Sequence, residues 1–158
     1  MAVRVQTADF DVAQELAVLR AGDARIGAIV TFIGTVRDVN DDALVSQMTL
    51  EHYPGMTEKA LEAIVAKAKE RFEIYDALVV HRVGALQPTD QTVLVAVTSA
   101  HRGSAFDACR FVIDYLKTEA PFWKKEQTPH GGRWVDARAS DDAALARWRD
   151  NDDAVASS

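Results

Sequence analysis

Two lysines that flank a proline are the residues whose type and spacing best suit catalysis in this chain. Lys117 falls at the end of a predicted helix, and Lys124 follows the break that Pro121 introduces. Ammonium groups that converge on one cleft can transfer protons or stabilise negative charge as it develops. The spacing is also typical of two solvated lysines, because most lysines lie on protein surfaces.

The pair His101-Arg102 is a candidate anion site. It lies between a predicted buried strand and the start of a helix, where main-chain N–H groups and the positive end of the helix dipole favour an anion such as a phosphate. Arg37 ends another predicted strand and could reach a site at the edge of a sheet. The alternatives are an ordinary helix start with an exposed His-Arg pair, and an exposed arginine at a strand end.

The sequence predicts no metal and no cofactor. Four scattered histidines show no metal-ligand spacing: His52, His81, His101 and His130. The glycines form neither a GxGxxG motif nor a P-loop. Cys109 lies on a predicted apolar stripe, which is typical of a small core residue, although a nucleophilic thiol stays open as an alternative.

The composition is that of one folded domain. The chain has 158 residues, of which 48% are hydrophobic and 27% charged, enough to bury a core. We expect a domain over residues 1–150 and a flexible acidic tail over residues 151–158. No stretch approaches the roughly 20 apolar residues of a spanning helix, and the N-terminus does not resemble a signal sequence. With its single cysteine, the chain is predicted to be cytoplasmic and without a membrane partner.

The charge distribution bears on the class of ligand. The net charge of −6 argues against a nucleic-acid partner. Residues 101–138 nevertheless contain seven Lys or Arg against five Asp or Glu. A local cationic region in an acidic chain suggests a small anionic ligand, although an ordinary fluctuation in surface charge gives the same pattern.

The periodicity predicts an α+β domain with largely antiparallel sheets, in the order α, ββ, α, ββ, α, ββ. Asp11 caps the first helix and Gly22 ends it, and an apolar stripe over residues 57–72 predicts the second. Strand 44–53 has Leu44, Met48 and Leu50 on one face. Six strands are predicted to pair as three hairpins: 25–36 with 44–53, 74–83 with 92–99, and 122–127 with 132–137.

The third predicted helix carries the candidate site residues. Ser104 and Asp107 have the spacing of a capping box at its start, and Pro121 disfavours helical geometry at its end. Four apolar residues are predicted to line its buried face: Phe106, Cys109, Ile113 and Leu116.

Five segments, in this order, closely resemble the molybdopterin synthase catalytic subunit family: FIGTVRDVN, LEHYPGMTEKAL, HRVGALQPTD, VTSAHRGSAFDAC and DYLKTEAPFWKKE. The resemblance covers residues 26–135, and the LEHYPGM and LKTxAPFWK strings are specific. One departure is Asn40-Asp41-Asp42, where many relatives carry a glycine after the asparagine, which leaves the shape of this turn open. The tail after Arg138 is not covered, and Arg138 itself is a possible anion contact.

The resemblance implies an α/β hammerhead fold and a homodimer at the centre of a heterotetramer. A small ubiquitin-like subunit would dock at each end and carry a thiocarboxylate on its C-terminal Gly-Gly. The implied reaction delivers two sulfurs to cyclic pyranopterin monophosphate, through a half-sulfurated intermediate, and forms the dithiolene of molybdopterin.

The resemblance also assigns residues. It implies that Lys117 and Lys124 are catalytic, and that His101 and Arg102 come from the neighbouring subunit of the dimer. The residues it implies in substrate binding are Thr35, Val36, Arg37, His101, Arg102, Lys117, Lys124, Lys125 and Glu126.

Two rival functions stay open at this point. One is a binding module that keeps the fold without chemistry, although a pure binder would have no need of both lysines. The other is a thiol-dependent transferase that uses Cys109.

Overall fold

The computed structural model describes residues 2–40, 43–135, 144–146 and 148, and these form three helices and ten strands, with residues 144–146 and 148 also helical. The helices are α1 (Val12–Arg20), α2 (Met56–Arg71) and α3 (Arg102–Glu119). The strands are β1 (Val3–Gln6), β2 (Ala28–Thr35), β3 (Val39–Asn40), β4 (Ala43–Leu44), β5 (Gln47–His52), β6 (Asp76–Arg82), β7 (Gly84–Leu86), β8 (Gln91–Ser99), β9 (Phe122–Thr128) and β10 (Gly131–Val135).

The strands form two four-stranded sheets and one small hairpin. The first sheet has the order β1-β6-β8-β2, in which only the β1–β6 pair is parallel. The second sheet has the order β10-β9-β5-β7 and is antiparallel throughout. Strands β3 and β4 pair with each other. The predicted α+β class with largely antiparallel sheets is therefore confirmed.

Helices cover both faces of the first sheet, so its central strand β8 is buried. Helices α2 and α3 pack on one face in a core that includes Leu61, Val95 and Phe111. Helix α1 packs on the other face, where Leu16 and Leu19 contact a cluster from β6 and β8. Both helices of the larger core present apolar stripes, as the periodicity predicts.

The local predictions for the helices are mostly confirmed. Asp11 caps α1 by accepting from the N–H of Gln14 at 3.1 Å, and Gly22 follows the helix with a φ of 71° that favours glycine. The stripe of α2 is buried from Leu61 to Ala68. Helix α3 ends at Glu119, immediately before the proline bend. The hairpins β6–β8 and β9–β10 also form as predicted.

The predicted pairing of residues 25–36 with 44–53 is wrong. Strand β2 pairs with β8 in the first sheet, whereas β5 pairs with β7 and β9 in the second. The physical reason is that the two strands serve different cores: β2 packs against the helices with residues such as Phe32, and β5 buries Met48 and Leu50 in another cluster. Leu44 lies in β4 and is exposed, so it does not share their face.

Three further predictions need correction. Strand β1 is missing from the predicted order because its four residues pair in parallel with β6, far along the chain. Helix α3 begins at Arg102 with His101 as its cap, so Ser104 lies inside the first turn and forms no capping box. Cys109 and Leu116 are buried as predicted, but Phe106 is 61% exposed, because Ala105 takes the buried position in the first turn of α3. The predicted boundary at residue 150, the acidic tail and Arg138 lie outside the described residues.

Candidate active site

The two candidate catalytic lysines lie on either side of a sharp bend between α3 and β9. Lys117 is exposed in the last turn of α3, where a cation interacts favourably with the helix dipole. Ala120 then turns to extended geometry, and the N–H of Phe122 donates to the Ala120 carbonyl at 2.9 Å. Lys124 follows two residues into β9 and is partly buried. The proline break therefore places both lysines near one end of α3.

Strand alternation sorts the residues of β9 onto two faces. Phe122, Lys124 and Glu126 are partly or fully buried and face inward, whereas Trp123 and Lys125 face outward. Lys124 pairs with Leu50 of β5, and Glu126 pairs with Met48. The structure therefore brings Lys124 and Glu126 to one face and places Lys125 on the other.

A buried histidine connects Lys117 to this inner face. The His81 ring stacks on Phe122, with ring centroids 4.0 Å apart. Its Nδ1–H donates to the Arg82 carbonyl at 2.8 Å. The pKa of His81 is lowered to about 4, mainly by burial; the hydrogen bond to the Arg82 carbonyl opposes the shift, and Lys117 and His52 add smaller electrostatic contributions that lower it.

Lys117 is among the smaller causes that lower the pKa of His81. Phe122 and Lys124 share a face of β9, and the Pro121 bend joins that strand to the helix that carries Lys117. Ammonium groups on either side of such a bend suit the stabilisation of developing negative charge where they meet one substrate.

The other two residues of the 124–126 stretch have different surroundings. The buried Glu126 carboxylate accepts from the Arg133 guanidinium of β10 at 3.2 Å. The Lys125 ammonium lies over the Trp134 ring, 5.8 Å from its centroid. Glu126 thus ties β9 to β10 beneath Lys124, whereas Lys125 belongs to the outer surface of the second sheet.

Residues 35–37 reach the same region from the end of β2. Val36 is buried in the cluster that contains Leu50 and against which Phe122 packs. Its N–H donates to the Asp90 carbonyl at 2.9 Å, and its own carbonyl accepts from the Thr89 N–H at 2.8 Å. This double anchor fixes the main chain between Thr35 and Arg37, whose side chains are exposed.

His101 and Arg102 lie at the opposite end of α3. His101 is extended and caps the helix, and its N–H donates to the Ser99 hydroxyl at 3.3 Å. Lys117 lies fifteen residues after Arg102, a distance of about 22 Å along the helix at 1.5 Å per residue. Within one protomer, the structure does not bring the His-Arg pair to the two lysines.

Cys109 is a core residue of α3. Burial raises the pKa of its thiol to about 11, which opposes formation of a thiolate nucleophile. This finding argues against the thiol-dependent alternative. Across the described ranges, no group of three or more His, Cys, Asp or Glu side chains could hold a metal ion, and no helix there is long and apolar enough to cross a membrane.

Comparisons with known proteins establish the family of this chain. The model of the MoaE protein family matches residues 5–119. The chain belongs to the MoaE protein family. The molybdopterin synthase catalytic subunit of Ralstonia nicotianae is 66% identical over 146 residues, which cover 92% of this chain and 83% of that protein.

Two solved structures of the family show the same fold. A molybdopterin biosynthesis MoaE protein from Burkholderia ambifaria is 61% identical, with a TM-score of 0.78 over 94% of this chain and 98% of that chain. A molybdopterin synthase from Staphylococcus aureus is 30% identical, with a TM-score of 0.79 over 86% of this chain and 98% of that chain. The family resemblance of the sequence is therefore confirmed.

The residue-by-residue reasoning missed His81 and Phe122 as neighbours of the lysines. A signal was available, because both lie in segments that carry the family resemblance, HRVGALQPTD and DYLKTEAPFWKKE. Periodicity could not find them, since His81 and Phe122 are far apart in sequence and meet only where the two sheets pack.

Proposed function

We propose that this chain is the catalytic subunit of a molybdopterin synthase. It transfers sulfur from the C-terminal thiocarboxylate of a small ubiquitin-like subunit to cyclic pyranopterin monophosphate, and two transfers form the dithiolene of molybdopterin. The observation that carries the proposal is the 66% identity to a molybdopterin synthase catalytic subunit along most of both chains. The positions of Lys117 and Lys124 on either side of the Pro121 bend support it.

The two lysines are proposed to act on charge and protons. Sulfur transfer from an acyl donor develops negative charge on the acyl group and on the pterin, and a positioned ammonium stabilises such charge. The same groups can donate or accept a proton as the bonds change. Each delivery breaks the acyl C–S bond, and a water molecule supplies the oxygen that leaves the small subunit with an ordinary C-terminal carboxylate, so the sulfur must be reloaded elsewhere.

The phosphate of the pterin calls for cationic contacts, and these are proposed to come from two protomers. Arg37 follows the anchored Val36 beside the lysine region of its own chain. His101 and Arg102 lie about 22 Å along α3 from Lys117, too far for the side chains of one chain to meet. We therefore propose that a second copy supplies this pair, as expected for a homodimer with shared sites.

The remaining binding residues are proposed with roles that fit their surroundings. Thr35 and Val36 are proposed to contact the substrate from the end of β2. The Val36 side chain is buried, and its N–H and carbonyl are bonded to Asp90 and Thr89, so its contact is proposed to use the second lone pair of its carbonyl. Glu126 holds Arg133 beneath Lys124. Lys125 faces outward and its main chain lies in a central strand, so its contact with the substrate is proposed to use its exposed ammonium.

The proposed partner is the small sulfur-carrier subunit, and the word "subunit" in the name of the Ralstonia relative supports an assembly of more than one kind of chain. A Gly-Gly terminus suits a narrow channel, because glycine has no side chain to obstruct close approach. Two such partners on a central homodimer give the proposed heterotetramer. We place the complex in the cytoplasm, without a nucleic-acid or membrane partner.

The test is reconstitution with three sulfur sources. The purified chain and cyclic pyranopterin monophosphate are mixed with thiocarboxylated small subunit, with the same subunit ending in a carboxylate, or with free sulfide. Molybdopterin should form only with the thiocarboxylated subunit. Efficient conversion with the carboxylate form or with sulfide alone would overturn the mechanism, and no conversion with any source would overturn the function.

A further inference from the structure

The loop between β5 and α2, within the LEHYPGMT string of the sequence, has no role in the chemistry proposed so far. Thr57 lies just after this loop, in the first turn of α2, and is fully inaccessible to solvent. The Thr57 hydroxyl donates to the Pro121 carbonyl at 3.0 Å and accepts from the Tyr53 N–H at 3.0 Å. One hydroxyl therefore ties this loop to the bend between the lysines, 64 residues away in sequence.

The contact is made to Pro121, the residue at which the chain bends between α3 and β9. Pro121 stands between the helix that carries Lys117 and the strand that carries Lys124, and its ring leaves it no N–H for anchoring. The preceding carbonyl, of Ala120, accepts from the Phe122 N–H. The Thr57 hydroxyl takes up the next carbonyl in the chain, so the orientation of the Pro121 peptide is fixed from outside the bend.

Residues of this loop and of the adjoining ends of β5 and α2 contact the first residues of β9. His52 pairs with Phe122 across the β5–β9 ladder, and Tyr53 meets Trp123 edge to face with centroids 4.3 Å apart. The Glu58 carboxylate accepts from the Gly55 N–H and lies 3.4 Å from His52 Nε2. These contacts keep the loop in place and make the Thr57 hydroxyl a rigid anchor.

We propose that Thr57 is a positioning residue: its hydroxyl fixes the Pro121 carbonyl and thereby sets the separation of Lys117 and Lys124. This inference rests on the proposed function of the two lysines. A merely structural threonine would support the start of α2 and the overall stability of the fold. A positioning residue affects, in addition, the geometry of the lysine pair in protein that is fully folded.

The activity test compares Thr57→Val, which keeps the shape and removes the hydroxyl, with Thr57→Ser, which keeps the hydroxyl. Because a misplacement of about 1 Å can cost about 100-fold in rate, Thr57→Val should lower kcat by at least about 10-fold. The KM for the pterin should change little, and Thr57→Ser should retain most of the wild-type kcat. A folded Thr57→Val protein with kcat near wild type would overturn the proposal. If Thr57→Val does not fold, Thr57→Ala takes its place.

A second measurement does not depend on the activity. Competitive labelling of amines, read by mass spectrometry, reports the reactivity of each lysine, which depends on exposure and on nearby charge. Thr57→Val should change the Lys117 to Lys124 labelling ratio by at least about two-fold, because the separation of two like charges changes. Thr57→Ser should leave the ratio unchanged.

The labelling experiment has internal and matched controls. Lys69, which pairs with Asp76 near the C-terminal end of α2, should label as in wild type. Thr98→Val removes another buried hydroxyl, which accepts from the Asp76 N–H in the first sheet, and should not alter the lysine ratio. An unchanged ratio in Thr57→Val, or an equal change in Thr98→Val, would refute the positioning role. Failure of the wild-type chain to make molybdopterin would instead refute the proposed function, while the labelling still decides the role of Thr57.

Discussion

Gly27 occupies a position where even a methyl group has no room. It lies directly before β2, and its N–H donates to the Ser99 carbonyl at 2.9 Å. A β-carbon at this position would stand 2.2 Å from the Ala100 carbonyl oxygen. Because carbon and oxygen approach to roughly 3.3 Å, Gly27→Ala requires the two segments to separate by about 1 Å. Overpacking of this kind costs about 1–3 kcal/mol of unfolding free energy.

The displacement has a predicted consequence for the proposed site, because Ala100 immediately precedes His101 and Arg102. A shift of about 1 Å in groups that hold the substrate can lower kcat/KM by up to about 100-fold. The assay is urea unfolding followed by tryptophan fluorescence, together with steady-state kinetics in the reconstituted system.

Gly103→Ala is the matched control for stability. No atom lies within 4 Å of a β-carbon at Gly103. Replacing a glycine within a helix by alanine raises the free energy of unfolding by about 0.5–1 kcal/mol. If Gly27→Ala has the same free energy of unfolding as wild type, the predicted steric clash with the Ala100 carbonyl is wrong. If it is destabilised but turns over normally, the link to the His-Arg pair is wrong.

The remaining predictions concern single side chains of the site and core. Lys117→Ala and Lys124→Ala should each lower turnover by at least about 100-fold while the protein stays folded; near-normal sulfur transfer by either variant would remove that lysine from the mechanism. Arg102→Ala should mainly raise KM for the pterin, and a mixed dimer of Arg102→Ala and Lys117→Ala chains should regain one working site, unless the sites are not shared. Cys109→Ser should stay active in the same assay; loss of activity in a folded variant would revive the thiol alternative. The pKa of His81 is about 4 in the folded protein and about 6.5 in the unfolded chain. Between these two pH values the unfolded chain binds a proton at His81 that the folded protein does not bind. The free energy of unfolding should therefore fall by about 3 kcal/mol as the pH is lowered from 6.5 to 4. His81→Gln should lose this component of the pH dependence in urea titrations, and an unchanged profile would contradict the buried, uncharged state.

The elements that the sequence predicts well are those specified by neighbouring residues. Asp11 and Gly22 bound α1 because capping and positive φ are local properties. Pro121 ends α3 because its ring restricts the residue before it. The hairpin of β9 and β10 forms across a short turn, so its register also depends on residues close in sequence.

The pairing of strands across long distances could not be read from local patterns. The local patterns of β2 and β5 are compatible with pairing as a hairpin. The two strands belong to different sheets because Phe32 packs against the helices, whereas Met48 is buried in the other cluster. Strand β1 has four residues and gains its place from the parallel ladder with β6. Such choices depend on which surfaces remain to be covered once the helices have packed.

The candidate site likewise contains some residues that the sequence suggests and others that only the structure reveals. The types and spacing of Lys117, Lys124 and the His101-Arg102 pair suggest anion chemistry without any structure. The positions of His81 and Thr57 become informative only in three dimensions, since one stacks on Phe122 and the other binds the Pro121 carbonyl. Buried polar groups that act on a distant segment leave no periodic signal in the sequence.

The central claim is that the sulfur of molybdopterin passes from the partner's thiocarboxylate to the pterin at the lysine pair of this chain. The most direct measurement uses a small subunit whose thiocarboxylate carries ³⁴S, mixed with the chain and cyclic pyranopterin monophosphate, with the product alkylated and weighed by mass spectrometry. We predict that both dithiolene sulfurs carry ³⁴S with the wild-type chain, and that Lys117→Ala and Lys124→Ala leave the label on the small subunit. A product with unlabelled sulfur, or equal transfer of label by the two lysine variants and the wild type, would contradict the account.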